Sequence, residues 1–340
     1  MRRGVESFTF SLANELAKEI DFKIIIYSWK SKNKIDWGTW DKNIKIRNLP
    51  FSRYFQKFWA KIFYYFWIIK DNPSCIMINF LYHGESFLPK KKNYLYVLHS
   101  PATQIPKRYD YIKKNLNRYK NINFVAVSKF VRDQALSYIP EDKIKVIYNG
   151  IDTKIFRHNV KEETKIIKII SLSALERRKR LQNVILALKE LDDPEIHYDI
   201  YGEGSFKSKI EDLIIEKNMG NKIKLKGLSN YPQDCLKNSD IFILLSKGEA
   251  FPIAPLEAMS CGLPIIVSNE KPYDEIISKK SGFLVNPHSK DDIITAILKL
   301  KNKSLRIQLG KISRNIIEKK FTIFTMKNKY IELISSIIDK

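Results

Sequence analysis

Hydrophobic and polar positions follow two different periods along the chain. Short runs rich in β-branched and aromatic residues are typical of strands, and segments with an apolar residue every three or four positions are typical of helices. In the first half this pattern predicts strands at 22–27, 75–79, 94–98, 123–127 and 144–147, and helices at 8–17 and 129–138.

The second half shows the same alternation more clearly. Because strands that alternate with helices of this length form βαβ units, the pattern predicts parallel sheets. The turn dipeptide Asn149-Gly150 follows a predicted strand and marks a seam that divides the 340 residues into two domains of ordinary size. The predicted strands are 166–172, 197–201, 222–225, 240–245 and 264–267, and the predicted helices are 181–191, 206–217, 253–261, 291–301 and 324–338.

Composition indicates a globular protein with a core, since 44% of residues are hydrophobic and 29% are charged. No apolar run reaches the roughly 18 residues that span a bilayer, and residues 1–20 show no signal-peptide pattern. We therefore expect a cytoplasmic protein. The scattered cysteines Cys75, Cys235 and Cys261 form no CxxC pair, so neither a disulfide framework nor a zinc site is expected.

Charge is unevenly distributed. The net charge is +23, and residues 1–150 carry 27 Lys and Arg against 12 Asp and Glu, whereas residues 151–340 carry 33 against 25. A basic first half fits an anionic partner such as a membrane surface, a lipid phosphate or a nucleic acid; a compositional bias without a target explains it equally well. Because the charges are dispersed and do not line a groove, we expect no nucleic acid partner.

Segment 53–70 is unusually rich in aromatic residues, and Arg53, Lys57 and Lys61 recur on one helical stripe. Such a helix fits peripheral contact with an anionic membrane at the inner face. The alternative is an ordinary Rossmann helix packed on its sheet.

The most informative stretch is EAFPIAPLEAMSCG, residues 249–262. A predicted buried strand leads into a loop and a short helix that ends at Gly262. The carboxyl end of a strand followed by a helix N-terminus is where open α/β sheets bind phosphates and nucleotides. The backbone that would face such an anion is at Phe251, Pro252, Ile253 and Ala254.

Two carboxylates flank this helix start. Glu249 lies in the loop before the helix, and Glu257 lies about one turn inside it. So placed, they can accept hydrogen bonds from two polyols, for example a sugar and a ribose. Spacing alone leaves open the alternative of an N-terminal helix acid and a solvated surface residue.

This stretch resembles the E-x7-E motif of family 4 retaining glycosyltransferases, and residues 257–266 match the run that follows it in the family. The resemblance implies that Glu249 contacts the donor sugar hydroxyls and that Glu257 contacts the nucleotide ribose. Pro252 stands where the family usually has glycine, and proline lacks the amide N–H that a phosphate would meet.

Further passages resemble the same family. They are VAVSKFV (125–131), IKVIYNGID (144–152), SALERRKR (173–180) and YGEG (201–204). The resemblance places Lys179 on the phosphate-binding lysine and Ala174 where the family has an arginine, so we expect Arg177 or Arg178 to replace that arginine. It also implies donor contacts at Gly202 and Gly204.

In the first half, His99 follows the predicted strand 94–98 near the point where family members often have an active-site histidine. An ordinary packed residue is the alternative. Residues 4–6 resemble the end of the family's glycine turn, which makes Gly4 a further donor-site candidate. By this resemblance, the family strand that precedes the turn is missing before Met1, which would leave an unpaired gap in the sheet.

The resemblance implies a GT-B fold, with two Rossmann-like α/β domains facing across a cleft. It implies an acceptor-side domain at 1–152, a nucleotide-sugar domain at 153–320, and a C-terminal helix at 321–340 that packs back toward the first domain. The expected enzyme is a retaining, hexosyltransferase-like glycosyltransferase with a UDP- or GDP-sugar donor and no metal. Its expected acceptor is a cell-surface polysaccharide, a lipopolysaccharide or a lipid-linked glycan.

Lys179 would stabilise the diphosphate leaving group, and Glu249 and His99 complete the predicted catalytic set. Two other classes stay open. One is a catalytically impaired relative that binds a sugar nucleotide or a partner, suggested by Ala174, Pro252 and the short N-terminus. The other is a nucleic-acid-binding protein, suggested by the net charge of +23.

Overall fold

The computed structural model describes residues 4–19, 23–29, 39–49, 65–78, 89, 92–118, 121–158, 165–277 and 281–339. The chain divides into two compact units. The first unit comprises residues 2–149 and 323–340, and the second comprises residues 150–322.

Strands and helices alternate along most of the described chain, as the sequence pattern predicts. The strands are β1 (Ile24–Trp29), β2 (Ile44–Leu49), β3 (Cys75–Ile78), β4 (Asn93–Leu98), β5 (Asn121–Ala126), β6 (Ile144–Val146), β7 (Ile167–Leu172), β8 (Ile196–Tyr201), β9 (Ile223–Gly227), β10 (Ile241–Leu244), β11 (Ile265–Ser268) and β12 (Gly282–Val285). The α-helices are α1 (Gly4–Leu16), α2 (Pro106–Asn115), α3 (Lys129–Ala135), α4 (Leu181–Leu191), α5 (Lys207–Glu216), α6 (Pro232–Lys237), α7 (Ile253–Ser260), α8 (Tyr273–Ile276), α9 (Lys290–Lys299), α10 (Lys303–Lys320) and α11 (Ile323–Ile338).

The second unit is built on a six-stranded sheet in the order β12-β11-β10-β7-β8-β9. All neighbouring strands are parallel. From β7 the chain first builds outward through β8 and β9, and then returns to place β10 on the other side of β7. The boundary between β7 and β10 is therefore a topological switch point, and ligands of open α/β sheets bind beyond the carboxyl ends of the strands at such a point.

Helix α4 shows how the sequence determines this unit. Its apolar residues Leu181, Val184, Ile185 and Leu188 recur at helical spacing, and all four are buried. They pack into the same core as Ile169 and other strand residues. This packing fixes the loop between β7 and α4 over the end of the sheet.

The first unit contains two parallel ladders, β1-β2 and β3-β4-β5-β6. Among the described residues these ladders are separate. Helix α11 belongs to this unit and packs against α1, β3 and β4. Lys327 Nζ on α11 donates to Glu19 Oε1 at 2.5 Å, and the rings of Tyr330 and Phe8 lie 5.9 Å apart.

Several elements escape the sequence pattern. The strands β2 and β12 and the helices α2, α6, α8 and α10 were not predicted. Helix α2 buries Tyr109 and Ile112 in a sequence that is otherwise polar, so it has no apolar stripe to detect. Most of segment 53–70 lies outside the described residues. In its described part, which is helical, Phe66 and Ile69 are exposed.

Candidate functional site

Two loops meet at the switch point of the second unit. One follows β7 and contains a single turn of 3-10 helix at Arg177–Lys179. The other follows β10 and leads into α7. The amide of Lys247 donates to the Arg178 carbonyl at 2.9 Å, so the loops are joined through their backbones.

Glu249 lies at the centre of an ion cluster between these loops. Lys179 Nζ is 2.6 Å and Arg178 Nη1 is 2.9 Å from the same carboxylate oxygen, Oε1. The Glu249 and Lys179 side chains are 13% and 10% exposed, whereas that of Arg178 is 45% exposed. Burial by itself would raise the pKa of Glu249, but Lys179 and Arg178 outweigh it and hold this pKa below its ordinary value. Glu249 is therefore ionised at neutral pH.

The structure separates the two arginines that the sequence left as alternatives. Arg178 reaches Glu249 and also pairs with Glu176 at 2.7 Å. Arg177 is exposed, and it lines a neighbouring cavity together with Arg178. Arg178 therefore contacts the cluster, and its role as the replacement for the family arginine at Ala174 stays a prediction.

Sequence reasoning missed Arg180, which anchors the same loop. Its backbone is left-handed, with φ of 54°, where the 3-10 turn passes into α4. Its buried guanidinium donates to the Leu245 carbonyl at 3.3 Å and to Glu270 Oε1 at 2.7 Å. Partners 65 and 90 residues away in the chain leave no local signal.

A buried polar chain supports the loop after β10 and was also missed. The hydroxyls of Ser246 and Tyr273 are hydrogen-bonded, and Ser268 Oγ donates to the Ser246 carbonyl at 3.0 Å. Burial raises the pKa of Tyr273 well above its ordinary value, so its hydroxyl stays protonated. This chain fixes the backbone three residues before Glu249.

Helix α7 starts after Pro252, and no side chain caps it. Phe251 is buried, with its ring 5.6 Å from that of Phe321, so it anchors the loop by packing. Ile253 and Ala254 open the helix and are half-buried. Glu257 lies within α7 and is half-buried, so its predicted contact with the ribose and the alternative of a solvated helix position both stay open.

The predicted glycine turn has a packing role. Gly202 has φ of 149°, and a Cβ there would lie 1.8 Å from the Ser173 carbonyl oxygen. At Gly204 a Cβ would lie 2.3 Å from the Leu175 carbonyl oxygen. Glycine is therefore required because the loop after β7 approaches this turn closely. Donor contact at either glycine stays a prediction.

His99 and Gly4 belong to the first unit. His99 follows β4, and its ring meets that of Phe8 edge-on at a centroid distance of 4.8 Å. Burial lowers the pKa of His99 to about 3, so the ring is neutral at physiological pH. Its Nε2 is buried and has no hydrogen-bond partner among the described residues. Gly4 is the first residue of α1.

Two features are absent from the described part of the chain. No group of three or more His, Cys, Asp or Glu side chains there has an arrangement that could hold a metal ion. No helix there combines the length and the apolar character needed to cross a membrane.

Two family models match the chain. Glycosyl transferases group 1 matches residues 151–319, and Glycosyltransferase Family 4 matches residues 2–155. The chain therefore belongs to the GT-B glycosyltransferases described by these two models, and it is a glycosyltransferase. The predicted family and enzyme class are confirmed.

Individual relatives agree with this assignment. The chain is 26% identical over 351 residues to the poly(ribitol-phosphate) alpha-N-acetylglucosaminyltransferase of Staphylococcus aureus (strain COL), covering 96% of this chain and 69% of the relative. It is 28% identical over 217 residues to the UDP-Gal:alpha-D-GlcNAc-diphosphoundecaprenol alpha-1,3-galactosyltransferase of Escherichia coli, covering 58% and 56%. The crystal structure of Anabaena HepE in complex with UDP and glucose matches with a TM-score of 0.83 at 16% identity, covering 98% and 96%. The last likeness confirms the predicted α/β, two-domain GT-B fold.

Proposed function

We propose that this glycosyltransferase moves a sugar from a UDP-sugar to a hydroxyl of a cell-surface polymer or lipid-linked glycan, with retention of anomeric configuration. The observation that carries the proposal is the cluster of Lys179, Arg178 and Glu249 at the switch point of the second unit. It provides two cations for a diphosphate and one carboxylate for sugar hydroxyls.

Each side chain has a role in this proposal. As the bond between the anomeric carbon and the diphosphate oxygen breaks, negative charge grows on the leaving group, and Lys179 and Arg178 stabilise it. Both cations now contact Glu249, so a bound diphosphate would share them with the carboxylate. Glu249 would then accept hydrogen bonds from the sugar, and Glu257 would accept them from the ribose.

His99 would serve as a neutral hydrogen-bonding group, because its lowered pKa of about 3 excludes a standing positive charge at physiological pH. The first unit, together with residues 323–340, would take the acceptor, and the second unit would take the donor. Donor roles for Gly202, Gly204 and Gly4, and for the backbone at 251–254, belong to the same proposal.

The relatives support the choice of substrates. The crystal structure of HepE is of its complex with UDP and glucose. The staphylococcal relative is named for poly(ribitol-phosphate), and the Escherichia coli relative is named for a diphosphoundecaprenol acceptor. Both named acceptors carry phosphate. We therefore propose an acceptor that bears hydroxyls and phosphate on one polymer or lipid.

A turnover assay tests the proposal. The wild-type chain is incubated with a panel of UDP- and GDP-sugars, and release of nucleoside diphosphate is measured with and without acceptor, with the anomeric configuration of the product read by NMR. We expect release from a UDP-sugar with retention, and Glu249→Ala should abolish it while circular dichroism stays native. The exposed Glu216, converted to Ala, is the matched control and should keep full turnover.

Two outcomes would contradict the assignment. Unchanged turnover in the Glu249→Ala variant would remove Glu249 from the site. Donor binding without any release would favour the impaired relative, which Ala174 and Pro252 first suggested.

A further inference from the structure

Helix α7, which carries Glu257, ends in a fully bonded last turn. The last four carbonyls of a helix have no partner within it and must find one elsewhere. The carbonyls of residues 257–259 accept from the amides of residues 261–263, each at 3.0 Å. The carbonyl of Ser260 accepts from Arg314 Nη1 at 2.6 Å. A side chain from another helix, α10, therefore completes the C-terminal end of α7.

The guanidinium of Arg314 joins three parts of the second unit. Nη1 also donates to the Phe156 carbonyl at 2.7 Å, and Nη2 donates to the Thr153 carbonyl at 3.3 Å. Both carbonyls lie in segment 150–158, which opens this unit. Its Nε pairs with Glu318 at 2.6 Å, and the Arg314 side chain is 20% exposed. A largely buried cation thus ties the end of α7 to α10 and to segment 150–158, and its charge suits the negative end of the helix dipole.

Close packing supports the same junction. Gly310 lies one turn before Arg314 on α10, and a Cβ there would lie 2.0 Å from the Gly262 carbonyl oxygen. His158 Nδ1 lies 3.2 Å from the Cys261 carbonyl oxygen. Helix α10 and segment 150–158 therefore contact the residues that end α7 directly, with little space between them.

The opposite end of α7 is open toward the proposed donor site. No side chain caps the helix start, and Glu257 lies three residues before Ser260. The eight residues of α7 form a rod of about 12 Å, so a displacement of the last turn is passed to Glu257 and to the first amides. Binding groups must be held within about 0.5 Å of the productive geometry.

We propose that Arg314 is a positioning residue for the donor site, which holds the C-terminal end of α7 so that Glu257 and the helix start keep the geometry that binds a nucleotide. The inference rests on the proposed function. It adds to that function a residue on α10 that acts through α7 and not on the ligand.

Calorimetric titration of UDP into Arg314→Gln tests the proposal, at a temperature at which all variants are folded. Arg306→Gln is the matched control, because Arg306 also lies on α10 and donates to two backbone carbonyls, those of Leu300 at 2.6 Å and Lys301 at 2.9 Å, beyond the end of α9. We expect Arg314→Gln to weaken UDP about tenfold, as for the loss of one charge-assisted hydrogen bond, and Arg306→Gln to keep the wild-type Kd. Arg314→Lys, which keeps a charged donor, should recover part of the affinity.

A double-variant cycle tests whether the effect passes through Glu257. If Arg314 places this carboxylate, Arg314→Gln should weaken UDP less in a Glu257→Gln background than in the wild type. The same weakening in both backgrounds would overturn a role that acts through Glu257.

Hydrogen exchange without ligand measures the hold on α7 itself. The amides of 253–263 should exchange faster in Arg314→Gln than in the wild type and in Arg306→Gln. Unchanged exchange, or a UDP Kd equal to that of a wild type that binds UDP, overturns the positioning role and leaves the proposed function intact. A wild type that does not bind UDP overturns the proposed function, and the positioning role with it.

Discussion

Replacing Glu249 by glutamine removes the negative charge of this side chain and keeps its size and shape. Lys179 Nζ and Arg178 Nη1 both contact Glu249 Oε1, at 2.6 Å and 2.9 Å, so the two cations are at most about 5.5 Å apart. In the wild type the carboxylate offsets their mutual repulsion, which is about 3 kcal/mol at an effective dielectric constant of about 20, and the substitution leaves that repulsion without an offset. We expect Glu249→Gln to lose about that much unfolding free energy, or about 6–12 °C in Tm.

Urea unfolding at neutral pH measures this loss, and a second substitution checks its cause. Adding Lys179→Met to Glu249→Gln removes one of the two repelling charges and should recover part of the stability. Glu203→Gln is the matched control, since Glu203 pairs with Lys207 on the surface, and it should change stability little. A Glu249→Gln variant as stable as the wild type, or a double variant that loses the sum of both single losses, would refute the reasoning.

The same variant has a defined pH dependence. The pKa of Glu249 is lowered in the folded state, so its contribution is fully present above the ordinary value of 4.5 and is lost as the pH falls through the folded-state pKa. The stability difference between wild type and Glu249→Gln should therefore be constant from pH 5 to pH 7 and shrink in more acidic solution.

Three further substitutions test other parts of the structure. Gly310→Ala should destabilise the second unit in thermal unfolding although alanine favours helices by about 1 kcal/mol, because a Cβ there would lie 2.0 Å from the Gly262 carbonyl oxygen; a higher Tm would contradict this contact. Arg314→Ala should lower the free energy of unfolding in urea by about 3 kcal/mol, since Arg314 donates to the carbonyls of Phe156 at 2.7 Å and Ser260 at 2.6 Å. A loss no larger than that of Glu318→Ala would contradict the importance of these two hydrogen bonds. Burial lowers the pKa of His99 to about 3 in the folded state, so on acidification the unfolded chain takes up a proton at this residue before the folded chain does. The free energy of unfolding should therefore fall by about 2 kcal/mol between neutral pH and pH 5. The His99→Gln variant should lack this part of the fall, and an identical pH profile would show that His99 is not buried in its neutral form.

The alternation of strand and helix could be predicted from the sequence wherever burial is one-sided. Helix α4 was predicted with its observed bounds, because every apolar position in its stripe is buried. Strand β2 and helix α2 were missed for the opposite reason. Ile46 in β2 is exposed, and α2 buries only Tyr109 and Ile112 among its polar residues, so neither sequence shows a clear period.

The sequence was enough to name candidate residues of the site, but it did not show which of them are in contact. Glu249 and Lys179 were identified by resemblance, but their contact depends on β7 and β10 being neighbours, which is a property of strand order and not of local sequence. Both Arg177 and Arg178 lie in the 3-10 turn, and local sequence does not indicate that Arg178 reaches Glu249. Arg180 is anchored to the distant Glu270, and no spacing rule indicates such a contact.

We propose that the cluster around Glu249 receives the diphosphate of a nucleotide-sugar donor. Calorimetric titration of UDP into the wild-type chain and into Lys179→Met tests it most directly, with Lys189→Met as a control for the loss of one positive charge. We expect UDP to bind the wild type and the control equally and to bind Lys179→Met at least about tenfold more weakly. UDP binding to Lys179→Met with wild-type affinity would contradict it.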